Sequence, residues 1–177
     1  MLRIPGFLLL SVLFAAQPAQ ALVIDLTADI DGSQAVPATD SLAFGTGVFE
    51  YDDVENVLSW TILFTDALFD TDETGSSING PAPAGGVADL LDDLGTGQLK
   101  QGSADLDTLA SCSADAEACE SDLLAGLWYV NVTSSEHPAG EIRGQILAAT
   151  AVPESGALSL LLAAAGGALL IRRRLTA

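Results

Sequence analysis

The run YVNVTSSEHPAGEIRGQI at residues 129–146 is the feature that most constrains how this chain can fold. In its second half Ile142 and Ile146 share one side with a glycine, while polar residues occupy the alternate positions. This is the two-residue period of a strand with one buried face. Pro138 fixes its own φ and Gly140 accepts a positive φ, so the chain can reverse here without straining a side chain. The run therefore predicts two antiparallel strands joined by a turn.

The same alternation recurs in the first part of the chain. Residues 22–31, 42–51 and 57–65 each read as a strand, with a polar turn at 52–56. In the third strand four apolar residues share one face and should form the heart of the core. They are Leu58, Trp60, Ile62 and Phe64. Short strands with turn residues about every ten positions predict an all-β, antiparallel sandwich.

The middle of the sequence is less regular. Residues 87–94 read as a further strand, and residues 95–107 as a polar excursion. Residues 113–125 have a helix-forming composition and Gly126 is placed to end them, so we expect one short helix packed over an end of the sandwich.

Three stretches resemble the motifs of the chordin-type (CHRD) domain family. YVNVTS at 129–134 with GEIRGQI at 140–146 is similar to that family's closing hairpin, IDGSQAVP at 30–37 to its opening motif, and SSINGPAP at 76–83 to its "A-H-I-H-G-P-A" motif. The likeness covers residues 22–149. It implies a Greek-key sandwich of immunoglobulin-like or superoxide-dismutase-like type, in which the closing motif is structural. Its family-motif residues here are Tyr129, Gly140, Glu141, Ile142, Arg143 and Gly144.

The resemblance also raises the question of a metal site, because the family's histidine-bearing motifs look like those of copper/zinc superoxide dismutase. Here Ser77, Asn79 and Thr133 occupy the histidine positions, and His137 is the one histidine of the chain. A single imidazole does not make the multi-histidine site that copper or catalytic zinc needs. We therefore expect His137 to be a solvated turn residue.

Calcium needs only oxygen ligands, so it is weighed separately. DTDETG at residues 70–75 has the opening spacing of a calcium loop, but its twelfth position is Pro81 instead of a bidentate glutamate. The abundant acids produce such a cluster by chance, so a solvated loop is favoured over a calcium site. The candidate ligands for calcium are Asp66, Asp70, Asp72 and Glu73.

Cys112 and Cys119 are the only cysteines. In an exported protein they predict a local disulfide, because an oxidising compartment lets the bridge persist. A zinc pair is the alternative, but the spacing is unusual and no second pair of soft ligands accompanies it.

The two ends of the chain read as targeting segments. Residues 1–21 have a positive flank at Arg3, a short apolar core and a small-residue cleavage site, which predicts a secretory signal peptide. Residues 151–177 combine Val152, Pro153 and Glu154 with an apolar run and three terminal arginines. This end resembles a PEP-CTERM sorting tail, with Ser155 departing from the usual motif. The resemblance implies transient inner-membrane insertion, cleavage by an exosortase-type enzyme and release to the surface of a Gram-negative bacterium; an uncut tail anchor is the alternative.

Residues 22–150 then form one domain, flanked by two apolar targeting helices. This domain contains 23 of the 24 acidic residues but only Lys100 and Arg143 of the six basic ones. Such a charge repels nucleic acid and anionic lipid, which excludes nucleic-acid binding. We expect Arg143 to find a bidentate carboxylate partner and to hold a neighbouring strand or loop in place.

No nucleophile elbow, phosphate loop or aromatic sugar platform occurs, so the chain is not expected to be an enzyme. The sequence predicts an exported, non-catalytic CHRD-like module, without a cofactor, that binds or supports exopolysaccharide or other surface proteins in the extracellular matrix. The alternatives are a calcium-dependent adhesion or matrix module and, less favoured, a superoxide-dismutase-like metalloenzyme.

Overall fold

A computed structural model describes residues 22–65 and 72–149. The predicted signal peptide at 1–21, the sorting tail at 151–177 and their two apolar helices lie outside these residues. The described residues form nine strands and one α-helix: β1 Val23–Asp31, β2 Phe44–Asp52, β3 Val57–Phe64, β4 Glu73–Asn79, β5 Leu90–Gly95, β6 Leu99–Asp105, α1 Ala116–Leu124, β7 Tyr129–Ser134, β8 Ile142–Gln145 and β9 Leu147–Ala148. In this part of the chain no helix has the length and apolar content needed to cross a membrane.

The strands form one antiparallel sheet in the order β5-β4-β7-β8-β1-β2-β3-β6, with β9 beside β1. The end strands β5 and β6 are joined by only three residues, 96–98. Three extended residues span about 11 Å at most, so the two ends of the sheet must lie close together. The sheet therefore curls into a nearly closed barrel around one core. The predicted antiparallel all-β class with one short helix is confirmed.

The core follows the alternation of the strands. Leu58, Trp60, Ile62 and Phe64 of β3 are all buried, as the sequence predicted. They pack with the inward residues of β1, β2, β7 and β8 and with Leu106 and Leu123. The hairpin of β7 and β8 is also as predicted, and Gly140 has a φ of +146° at its turn.

The predicted polar excursion over residues 95–107 is wrong, because residues 99–105 form β6. This strand pairs with β3 over seven residues, from Leu63 opposite Leu99 to Val57 opposite Asp105. Its sequence, LKQGSAD, lacks an apolar face, and its inward position 100 is a lysine. Pairing with β3, rather than the strand's own hydrophobic pattern, accounts for the strand.

The predicted helix and disulfide are both confirmed. Asp115 caps α1 by accepting a hydrogen bond from the Ala118 amide at 3.1 Å, and Gly126 follows the helix with a φ of +72°. Cys112 and Cys119 form a disulfide that links the preceding turn to α1. This bridge fixes the segment that covers one end of the barrel.

Replacing both cysteines with serine should lower the free energy of unfolding by about 2.5 kcal/mol, because the bridge closes a loop of about eight residues in the unfolded chain. Urea denaturation followed by tryptophan fluorescence measures this difference. A reductant should lower the midpoint of the unaltered protein to the same extent and leave that of the double variant unchanged. Equal midpoints with and without reductant would show that the bridge contributes nothing.

Candidate functional site

The candidate site is the outer face of β4, β7 and β8, where the three family-like stretches of the sequence meet. Residues 80–89, which follow β4, lie over this face and are here called the covering loop. The Gly80 amide donates to the Asp89 carbonyl at 3.2 Å, which joins the two ends of the loop, and the Ala82 amide donates to the Leu127 carbonyl, just before β7, at 2.8 Å.

Arg143 is the centre of this face. Its side chain donates from Nη1 to the Gly86 carbonyl and from Nη2 to the Pro83 carbonyl at 3.4 Å and to Gln145 Oε1 at 3.1 Å. The guanidinium carbon lies 3.5 Å from the centre of the Tyr129 ring, a stacked cation–π arrangement. Burial lowers the pKa of the Arg143 guanidinium from its ordinary value. Arg143 thus holds a loop in place as expected, but its hydrogen-bond acceptors are carbonyls instead of the expected carboxylate.

Neighbouring motif side chains hold the same loop. Gln145 Nε2 donates to the Ala82 carbonyl at 2.8 Å and to the Gly126 carbonyl at 2.7 Å. The Tyr129 hydroxyl accepts a hydrogen bond from the Ala88 amide at 2.9 Å. Every one of these bonds joins the sheet to a backbone group of the loop or of the chain beside it.

The opening motif and the residues that follow it, up to Ser41, contact β8 and the residue before it. The Glu141 carboxylate accepts a hydrogen bond from the Ser41 hydroxyl at 2.6 Å, and its carbonyl accepts one from Thr39 at 2.7 Å. Gln34 donates to the Asp29 carbonyl at 2.6 Å and accepts from the Gln145 amide at 3.4 Å. The contacts of Thr39, Ser41 and Gln34 were not predicted, because short polar residues carry no periodic signal.

The structure explains why the closing motif has a glycine at position 144. A Cβ at this position would lie 2.5 Å from the Asp29 carbonyl oxygen and 2.6 Å from an Ile30 side-chain atom. Real Cβ contacts are not this short, so only glycine lets β8 approach β1 as closely as it does. Ile142 of the same strand is buried in the core.

The three positions at which the family resemblance places histidines share the outer face of β4 and β7. Ser77 lies opposite Asn131, and Thr133 opposite Gly75. The Ser77 hydroxyl donates to Asn79 Oδ1 at 2.6 Å, and Thr133 Oγ1 lies 2.9 Å from Thr74 Oγ1. Hydroxyl and amide oxygens that are hydrogen-bonded to one another do not fit a copper or zinc centre. His137 lies in the turn between β7 and β8, where its carbonyl accepts from the Gly140 amide at 3.1 Å.

Two of the four calcium candidates, Asp66 and Asp70, lie outside the described residues. Glu73 begins β4, and its carboxylate accepts from Lys100 Nζ at 3.0 Å and from the Gly97 amide at 2.6 Å. Asp72 precedes it with a φ of +54°. Within residues 22–65 and 72–149, no group of three or more histidine, cysteine or acidic side chains is placed to hold a metal ion.

Millimolar calcium should leave the melting temperature no higher than magnesium at equal concentration does, because both oxygens of Glu73 are already engaged. Magnesium is the control for general screening of the acidic surface. Thermal melting by circular dichroism makes the comparison. A calcium-specific rise would contradict this expectation, since a ligand at 100 times its dissociation constant adds about 2.7 kcal/mol.

Comparison with known proteins gives one match. Residues 26–146 match the model of a family described as CHRD domain. No curated protein matches the chain. No solved structure matches it either.

Proposed function

Since the chain belongs to the CHRD domain family, we propose that it is an exported, non-catalytic module that binds or supports other macromolecules at a bacterial cell surface or in its exopolysaccharide matrix. This proposal rests on the contacts that the motif side chains make. Tyr129, Glu141, Arg143 and Gln145 are all engaged in holding the covering loop and the residues after the opening motif against the sheet. The motif thus serves to build a rigid scaffold.

The distribution of charge supports the same role. The domain's only two Lys or Arg side chains, Lys100 and Arg143, are 4% and 2% exposed. The accessible charge of the domain is therefore carried by its carboxylates. Such a surface favours solubility and cationic partners, and it repels nucleic acid and anionic lipid.

The disulfide and the two ends of the chain support export. A disulfide persists in an oxidising compartment. We propose that residues 1–21 are a signal peptide and that residues 151–177 are a sorting tail, inserted in the inner membrane and then cut by an exosortase-type enzyme. The loops at the ends of the barrel strands would then carry binding.

Fractionation of the native bacterium, with intact-mass measurement of the protein, tests this proposal. We expect the protein in the surface or matrix fraction, beginning near Leu22 and with Cys112 and Cys119 oxidised. A cytosolic protein that retains both ends would overturn the proposed location. Stoichiometric copper or zinc in protein purified without a tag would overturn the non-catalytic role.

A further inference from the structure

A groove of about 340 Å³ lies between β5 and the disulfide-linked segment that contains α1. Leu90 and Leu91 of β5 line one wall, Ala118 and Cys119 of α1 line the other, and Trp128 lies at its base. Leu90 is 54% exposed. The groove is thus a preformed apolar surface at one end of the barrel, open to solvent.

The α1 wall of the groove and the covering loop beside β5 are fixed by contacts already described. The Cys112–Cys119 bridge ties α1 to the turn before it. The backbone bonds from Gly80 to Asp89 and from Ala82 to Leu127 fix the start of the covering loop. A binding surface that does not need to be ordered loses less entropy when its partner docks.

Three carboxylates line the groove beside its apolar residues. Asp89 lies on the covering-loop side, and Asp115 and Asp122 lie on the α1 side. Neither basic side chain of the domain reaches them, because Lys100 is bonded to Glu73 and Arg143 to the covering loop. The complementary occupant therefore combines a cationic group with an apolar stem, as the side chains of lysine and arginine do.

The position of β5 in the sheet indicates how a partner could place such a side chain in the groove. Strand β5 is the last strand of the sheet order and pairs with β4 alone, and Leu90 lies at the end of β5 away from the three-residue connection to β6. A terminal strand can accept an extended segment through its backbone groups, while pockets beside it select the side chains of that segment. A sugar is a poorer fit, because the aromatic residue at the base, Trp128, is only 1% exposed and offers no stacking platform.

We propose that this groove binds an extended, lysine- or arginine-bearing segment of a partner protein, with the cationic side chain between Asp89 and Asp122 and its stem on Leu90 and Leu91. The inference rests on the proposed role of the domain as a binding module and names the chemistry of its partner. The groove is open to a partner, whereas the polar groups of the Arg143 face are already engaged in holding the covering loop.

Nuclear magnetic resonance of the isotope-labelled, exported protein with the peptide acetyl-Val-Lys-Val-Lys-Val-amide tests the proposal. We expect saturable shifts at Leu90, Leu91, Ala118 and the Trp128 indole. The same peptide with norleucine for lysine should bind at least several-fold more weakly, because it keeps the stem and lacks the charge. Shifts elsewhere on the protein, or equal binding of the norleucine peptide, would overturn the proposal.

Two matched double variants separate the groove from general charge attraction. Asp89→Asn with Asp122→Asn should weaken binding by a factor of about 2 to 5 for each carboxylate removed. Asp25→Asn with Asp29→Asn removes the same charge from exposed positions of β1 and should change affinity less than twofold. Asp115 is left intact because it caps α1. Equal weakening by both pairs would refute a specific groove.

A Leu90→Ser variant tests the apolar contribution with little risk to folding, because this side chain is half exposed. It should weaken the lysine peptide and leave the melting temperature within two degrees. Unchanged affinity would overturn the docking geometry. These binding results are independent of cell fractionation: a surface-located protein that fails to bind the peptide refutes the groove alone, whereas a cytosolic protein refutes the proposed function.

Discussion

Replacing Arg143 by methionine should lower the free energy of unfolding by about 3 kcal/mol, because it removes the donor of three buried or partly buried hydrogen bonds. The Gly86 and Pro83 carbonyls and Gln145 Oε1 all accept hydrogen bonds from the guanidinium. Methionine fills much of the same space, so the loss reports the missing hydrogen bonds more than a cavity. Urea denaturation measures it.

Arg143→Lys is the matched control, because it keeps the positive charge and loses the planar fork and the stacking on Tyr129. We expect it to recover less than half of the lost stability. A full recovery would show that charge alone matters at this position. A change below about 0.5 kcal/mol in the methionine variant would show that the covering loop is held without the guanidinium.

Hydrogen exchange should locate the effect of Arg143→Met in the covering loop. The Ala88 amide donates to the Tyr129 hydroxyl, and the Gly86 amide donates to the Pro83 carbonyl at 2.9 Å. Both amides should exchange faster in the methionine variant, while Val130 and Val132 in the core should be far less affected. Faster exchange throughout the sheet would instead indicate global destabilisation.

The strands that are visible in the sequence are those with a strict period of two. Leu58, Trp60, Ile62 and Phe64 recur at every second position, with Leu63 the one apolar residue between them, and the closing hairpin has a proline and a glycine at its turn. These patterns determine both the strand and its buried face. They could be predicted because each depends on local sequence alone.

The features that the sequence did not predict depend on contacts between residues that are distant in the sequence. Lys100 is buried in β6 because Glu73, 27 residues earlier, lies across the closing ends of the sheet. The carbonyls that accept from Arg143 lie 57 and 60 residues before it. A guanidinium in so acidic a chain predicts a carboxylate partner, and only the fold shows that the covering loop supplies carbonyls. The groove at β5 was missed for the same reason, since β5 and α1 form no continuous motif.

Lys100 and Glu73 form a buried ion pair where the sheet closes. Their side chains are 3% exposed each, and Nζ lies 3.0 Å from Oε1. Lys100 also donates to the Gly95 carbonyl at 2.9 Å, and its ammonium group lies 5.9 Å from the centre of the Phe64 ring. The pair joins β6, at one end of the sheet order, to β4 and to the turn after β5. It therefore links the two ends of the curled sheet.

Either single replacement, Lys100→Met or Glu73→Leu, should lower the free energy of unfolding by about 3 to 5 kcal/mol, because each leaves one buried charge without its partner. The double variant should lose less than the sum of the two single losses, since two apolar side chains need no counter-charge. Denaturation of all four proteins gives the coupling energy. We expect it to be about 2 to 3 kcal/mol, near the upper end of such couplings.

Gln101→Met is the control for methionine on this strand, because Gln101 is the exposed neighbour of Lys100. It should change stability by less than about 0.5 kcal/mol. If the two single losses simply add in the double variant, the ion pair is not what joins the ends of the sheet. The three-residue connection between β5 and β6 would then close it alone, and lengthening that connection, rather than removing the charges, would be the change that opens the barrel.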